Sequence, residues 1–87
     1  MSARAVECVS SDWGSVQIVE DHGRYVLLQV TTDSAGCEQW HCDEVGTANS
    51  HYASRSLDDA ARYQRRHVRS YARLSDARRA AKAEVSS

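Results

Sequence analysis

Cysteine and histidine side chains lie close together in the middle of the chain. Cys37, His41, Cys42 and His51 are residue types that bind zinc. Zinc sites in small domains take pairs of ligands two to four residues apart on a turn. Cys37 and Cys42 are five positions apart in a predicted strand, so they point to opposite faces of it. We therefore expect no metal site and no cofactor, although Cys8 from a neighbouring strand is a possible further ligand.

Catalytic patterns are also weak. Any of the three cysteines could in principle form a nucleophile pair with a histidine, but no local signature or orienting Asn or Asp accompanies one. Adjacent carboxylates occur at Asp43-Glu44 and at Asp58-Asp59, and the second pair is explained by the start of a helix. No glycine-rich phosphate loop is present. The sequence predicts a protein that is not an enzyme.

Five arginines recur at helical spacing in the last third of the chain. At about 100° per residue they share one arc, which extends over about 16 Å of helix axis. Such an arc suits an acidic protein patch, since Arg is enriched in protein interfaces, or a nucleic-acid backbone, since phosphates attract it. A solvated helix face is the third interpretation. The predicted contact residues are Arg62, Arg65, Arg66, Arg69 and Arg73, with Trp13 and Tyr52 as weaker candidates.

The formal charge of −1 conceals two oppositely charged segments. Residues 1–54 carry eight acidic and two basic groups, giving −6, while residues 55–87 carry nine basic and four acidic groups, giving +5. This asymmetry predicts either a charged partner for one segment or mutual neutralisation of the two. The acidic segment also opposes binding to nucleic acid.

A single long helix is predicted from about residue 57 to about residue 84. Ser56 is a suitable N-cap, and Asp58 and Asp59 place negative charge at the positive end of the helix dipole. No Gly or Pro interrupts the segment. Ser75-Asp76 could cap a second helix, so a kink or break near Leu74 is one alternative. The apolar arc is expected to face the sheet and the arginines to face outward.

The preceding segment, about 4–54, is predicted to form a sheet of four or five strands. The predicted strands are 4–10, 15–20, 24–32, 37–45 and, as a weak edge strand, 49–54, separated by turn residues such as Asp21-His22-Gly23. Residues 24–32 carry apolar side chains on both faces, which predicts a central strand. The predicted fold class is α+β: a mostly antiparallel sheet packed by one long C-terminal helix.

Length and composition set the remaining expectations. Eighty-seven residues suit one domain with a small core, existing as a monomer or a homodimer. No segment has the apolar length of a membrane span, and residues 1–11 lack the apolar centre of a signal peptide. Three cysteines, an odd number, then favour free thiols in a reducing cytoplasm.

Three segments carry a resemblance to a known group of proteins. They are Gly23-Arg24-Tyr25-Val26 at the start of the central strand, Trp40 in the next strand, and Leu57-Asp58-Asp59-Ala60-Ala61 leading to Arg78-Arg79-Ala80-Ala81-Lys82. With strands first and an Ala/Arg-rich helix after them, the chain resembles small phage and mobile-element proteins, in particular anti-CRISPR inhibitors of type I systems.

The resemblance assigns no individual residue. It implies a non-enzymatic inhibitor in the cytoplasm of a host cell. Such an inhibitor would bind a host protein complex, a type I CRISPR–Cas surveillance complex or its nuclease, by protein–protein contact. The alternative is a nucleic-acid-binding accessory protein that uses the arginine face of the helix.

Overall fold

The computed structural model describes residues 2–11, 14–42 and 52–86 of the chain. Within them, five antiparallel strands pair in chain order and are followed by two helices, which confirms the α+β class and the antiparallel sheet. Trp13, His51 and the Asp43-Glu44 pair lie outside the described residues. The elements are β1 (Arg4–Ser11), β2 (Gly14–Asp21), β3 (Arg24–Thr32), β4 (Glu38–Cys42), β5 (Tyr52–Ser54), α1 (Leu57–His67) and α2 (Leu74–Ser86).

A two-residue turn joins β2 to β3, the pair of strands that forms the centre of the sheet. His22 and Gly23 both have positive φ, 51° and 77°, as the favoured hairpin turns require. The strands then pair from Asp21 with Arg24 to Ser15 with Val30. This turn therefore fixes the register that decides which apolar side chains share a face.

The sheet is apolar on both faces, and β3 is its third strand, so the prediction of a central strand is confirmed. Val19 pairs with Val26, and Ile18 pairs with Leu27. Since neighbouring residues of a strand point to opposite faces, these two pairs belong to different faces. The α1 face carries Val19, Val26, Leu28 and Cys42, and the α2 face carries Val16, Ile18 and Leu27.

The start of α1 is as predicted. The Ser56 hydroxyl accepts a hydrogen bond from the Asp59 backbone N–H at 3.4 Å. Ala60 and Ala61 are fully buried against the α1 face, and the Cys42 thiol donates to the Ala60 carbonyl at 3.2 Å. Alanines at these positions let the helix backbone approach the sheet closely.

The prediction of one long helix is confirmed only in part. α1 ends at His67 and α2 begins at Leu74, so the chain has the break near Leu74 that the Ser75-Asp76 cap left open as an alternative. Residues 68–73, here called the linker, leave the helix and reach the start of β3. There Tyr71 forms an antiparallel bridge with Tyr25, donating and accepting one backbone hydrogen bond at 2.7 and 2.8 Å. The Arg24 side chain also donates to the Ser70 hydroxyl and carbonyl.

The break has a physical cause on the α2 face. A continuous helix would remain on one side and leave Val16, Ile18 and Leu27 in water, at a cost of about 25 cal/mol for each Å² of apolar surface. Instead α2 covers this face with Ala77 and Ala81, both fully buried. The sheet therefore has a helix on each side. No helix of the described residues is long and apolar enough to cross a membrane.

Candidate partner-binding surface

The five predicted contact arginines do not lie on one helix face. Arg62, Arg65 and Arg66 belong to α1, whereas Arg69 and Arg73 lie on the linker. The continuous arc that the sequence predicts is divided because the helix ends at His67. The arginines nevertheless follow one another along the last two turns of α1 and the segment that crosses to the α2 face.

Arg65 points towards the sheet, so the expectation that it faces outward is wrong. Its Nε donates to Asp21 Oδ2 at 2.8 Å, and the two side chains are only 24% and 5% exposed. Removing one partner of a buried pair leaves an uncompensated charge, which is strongly destabilising. Arg65 therefore ties α1 to the end of β2, and its neighbour Gln64 is also buried.

The other arginines separate into two groups according to whether they have a partner. Most are held within the molecule, at Arg4–Glu20, Arg55–Asp33, Arg62–Asp59, Arg78–Glu7 and Arg79–Asp76, and at Arg24–Ser70. Arg66, Arg69 and Arg73 are exposed and form no ion pair with any carboxylate in residues 2–11, 14–42 and 52–86. We call Arg62, Arg66, His67, Arg69 and Arg73 the basic surface.

The fold holds this surface in place at two points. Arg66 and His67 lie in the last turn of α1, where the helix dipole favours positive charge. Val68 and Arg69 both donate backbone N–H groups to the Gln64 carbonyl at 3.0 Å, which closes the helix end. Arg69 and Arg73 then flank Ser70 and Tyr71, which are bonded to β3.

An aromatic series runs beside the basic surface. The Tyr52 and Tyr63 rings stack with centroids 4.2 Å apart and 6° between their planes, and the His67 ring lies 4.6 Å from Tyr63 at a tilt of 42°. Tyr52 was expected as a contact residue, and the structure places it against α1. Tyr63 and His67 were not expected as contacts. Their spacing of four residues puts Tyr63 and His67 on one side of a helix. Tyr52 joins this aromatic series only because β5 pairs with β4 and so lies next to α1.

A shallow concavity opens between β5 and the outer side of α1. Its volume is about 140 Å³, and we call it the Tyr63 socket. The aromatic series forms one part of its wall, and charged side chains of α1 form the rest. Its lining residues are Tyr52, Asp59, Arg62, Tyr63, Arg66 and His67.

The cysteines are dispersed over the molecule. Cys8 and Cys37 are exposed, and Cys42 is buried under α1. The Cys37 backbone N–H donates to Asp33 Oδ1 at 2.9 Å and is the main cause of the lowered pKa of that carboxyl. In the described parts of the chain no three His, Cys, Asp or Glu side chains are grouped so that they could hold a metal ion.

Comparison of the chain with protein-family models, with curated proteins and with solved structures finds no match.

Proposed function

We propose that this chain is a non-catalytic binding protein that docks on an acidic surface of a protein partner through the basic surface. The observation that carries the proposal is the contrast among the arginines. Arg66, Arg69 and Arg73 are exposed without a carboxylate partner in the described chain, whereas the remaining arginines bind within the fold. Because the backbone that bears these arginines is already ordered, binding would cost side-chain freedom but not the ordering of the segment itself.

The composition of the surface favours a protein partner. Tyr and Arg are the residue types that most often dominate the energy of protein interfaces, and here Tyr52 and Tyr63 lie beside Arg66. The sheet segment, with its excess of six negative charges, would repel a nucleic-acid strand that extended beyond the basic surface. A compact acidic patch on a protein avoids that repulsion.

The proposal includes the class of partner suggested by the resemblance. We propose an anti-CRISPR-like inhibitor that acts in the cytoplasm of a host cell and binds a type I CRISPR–Cas surveillance complex or its nuclease. Inhibition would follow from occupying a surface that the complex needs, and no cofactor or catalytic group takes part.

A pull-down with the tagged protein, with and without nuclease treatment, tests the docking function. We expect a stoichiometric protein complex that survives nuclease and is lost in the double variant Arg66→Glu/Arg69→Glu. The matched control is Arg79→Glu/Lys82→Glu, which makes the same charge change on α2, on the other side of the sheet. Equal loss in both double variants would contradict docking through the basic surface, as would full retention in both.

Nucleic acid is the second candidate because exposed arginines also attract phosphates. It predicts that nuclease treatment abolishes recovery. It also predicts that the protein binds a DNA or RNA oligonucleotide and that this binding weakens steeply as the salt concentration rises. Fluorescence anisotropy of a labelled oligonucleotide measures the affinity. A charge-reversed basic surface would then bind weakly and with a smaller salt dependence.

A further inference from the structure

The Tyr63 socket offers a specific place for one negatively charged group. Arg62 is 57% exposed and uses one Nη2 contact on Asp59 at 2.8 Å, which leaves other N–H donors of its guanidinium unused by that carboxylate. Arg66 follows four residues later on the same side of α1, with no carboxylate partner among the described residues. Two guanidinium groups therefore border the same concavity.

The charge balance of the lining suits a single negative charge. Arg62 and Arg66 supply two positive charges and Asp59 supplies one negative charge, so these three side chains together carry an excess of one positive charge. A carboxylate entering the socket would balance this excess and accept charge-assisted hydrogen bonds. Asp59 also keeps Arg62 in place, since its Oδ1 already holds one side of the guanidinium.

The aromatic series makes the socket more suitable for a side chain than for a nucleobase. Tyr63 already has ring neighbours at 4.2 and 4.6 Å, and both tyrosines are half-buried. His67 is the exposed ring of the series. The two tyrosine faces that stack on each other are closed to a nucleobase, and the half-buried rings form an apolar wall suited to the methylene groups of an acidic side chain.

We propose that the Tyr63 socket receives a glutamate or aspartate side chain from an acidic segment of the protein partner. Arg62 and Arg66 bind its carboxylate, and the rings of Tyr52 and Tyr63 contact its aliphatic part. This inference rests on the proposed docking function and identifies the group that the partner inserts.

The test is an NMR titration of the ¹⁵N-labelled protein with a hexaglutamate peptide, with hexaglutamine as the uncharged control. We expect saturable shifts of the Tyr63, Arg66 and His67 amides with hexaglutamate only. Arg66→Gln should weaken that binding by about tenfold or more, since it removes charge-assisted hydrogen bonds to the carboxylate. Lys82→Gln is the control, because it removes one exposed charge from α2.

Four results would contradict the proposal that the Tyr63 socket receives an acidic side chain. They are no binding of hexaglutamate, shifts confined to residues outside the socket, equal affinities for wild type and Arg66→Gln, and tighter binding of an eight-nucleotide thymidine strand at the same amides. Arg66 is exposed and free of ion pairs with described carboxylates, so its replacement leaves the fold intact.

Failure of the socket and failure of the docking function give different results. In one outcome, recovery of a partner requires Arg69 and Arg73 but is unaffected by Arg66→Gln and Tyr52→Ala. That result would support the docking function and contradict the proposal for the Tyr63 socket. If hexaglutamate binds the socket but no protein is recovered in the pull-down, the result supports carboxylate binding in the socket and contradicts the docking function.

Discussion

The two helices cover opposite faces of the same sheet in similar ways but are held to it differently. Each buries two alanines, Ala60 and Ala61 in α1 and Ala77 and Ala81 in α2. Beyond these contacts, α1 is joined to β2 by the pair of half-buried Arg65 with buried Asp21, whereas α2 is joined to β1 by the more exposed Glu7–Arg78 pair. Removing one partner leaves a charge uncompensated, and this costs more where the remaining charge is buried, so we expect disruption of the α1 pair to be the more costly of the two.

The helices also differ in what they leave for a partner. On α2, the arginines at 78 and 79 are paired with Glu7 and Asp76, so its positive charge is largely used within the molecule. On α1 and the linker, three arginines are left without described carboxylate partners, and one of them, Arg66, lines a concavity with the stacked tyrosines. The difference indicates that α2 mainly closes the second face of the sheet, while α1 both closes the first face and presents a surface.

The largest expected effect comes from removing the α1 anchor. Arg65→Leu leaves Asp21 buried without its cation, and we expect unfolding free energy to fall by about 3 kcal/mol. Urea denaturation followed by circular dichroism measures this change. Arg4→Leu, in an exposed pair with Glu20, is the control and should cost less than about 1 kcal/mol. Similar costs for both variants would show that the Asp21–Arg65 pair is no special anchor.

The next largest loss of stability is expected from enlarging a buried alanine where α2 packs closely on the sheet. Ala81 is fully buried, so Ala81→Leu forces the helix away from Ile18 and Val16 and should cost about 2 kcal/mol in urea denaturation. Ala83→Leu on the exposed side of α2 is the matched control and should be close to neutral. A neutral Ala81→Leu would mean that α2 packs more loosely than α1, which would sharpen the contrast between them.

The hydrogen bond between Ser70 of the linker and Arg24 of β3 should contribute less to the stability of the fold. Ser70→Ala removes the hydroxyl that accepts from Arg24 Nε at 2.5 Å, and we expect a loss of about 1 kcal/mol of stability. Hydrogen exchange of the Tyr71 amide, which donates to the Tyr25 carbonyl, should also become faster. Ser34→Ala in the exposed β3–β4 turn serves as the control. Unchanged exchange at Tyr71 would show that the backbone bridge needs no help from Arg24.

The smallest effect concerns the acid stability of the α2 side. The hydrogen bond from Arg78 is the main cause of the lowered pKa of Glu7. A carboxyl whose pKa is lower in the folded state stabilises the fold above its unfolded pKa, and this contribution disappears as pH falls through the folded pKa. Urea midpoints between about pH 6 and 3 should therefore decline slightly less for Glu7→Gln than for wild type. The control is Glu38→Gln, and an identical decline for Glu7→Gln and wild type would count against the interaction.

Local sequence signals determined much of the architecture. The alternation of apolar residues in 24–32, the His22-Gly23 turn and the Ser56 cap predict β3, its hairpin and the start of α1, and the structure contains all three. Each depends on neighbours a few residues apart, which is why composition and spacing were sufficient. The same signals identified Arg66, Arg69 and Arg73 as residues that remain exposed.

Only the tertiary structure decided where the second helix goes and what each arginine does. Nothing between Val68 and Arg73 is a strong helix breaker by residue type, since neither Gly nor Pro occurs there. The chain leaves the helix because Tyr71 gains two backbone bonds with Tyr25 and because the α2 face needs cover. Likewise, Arg65 resembles its neighbours in sequence, and only folding brings it against a buried Asp21, 44 residues away.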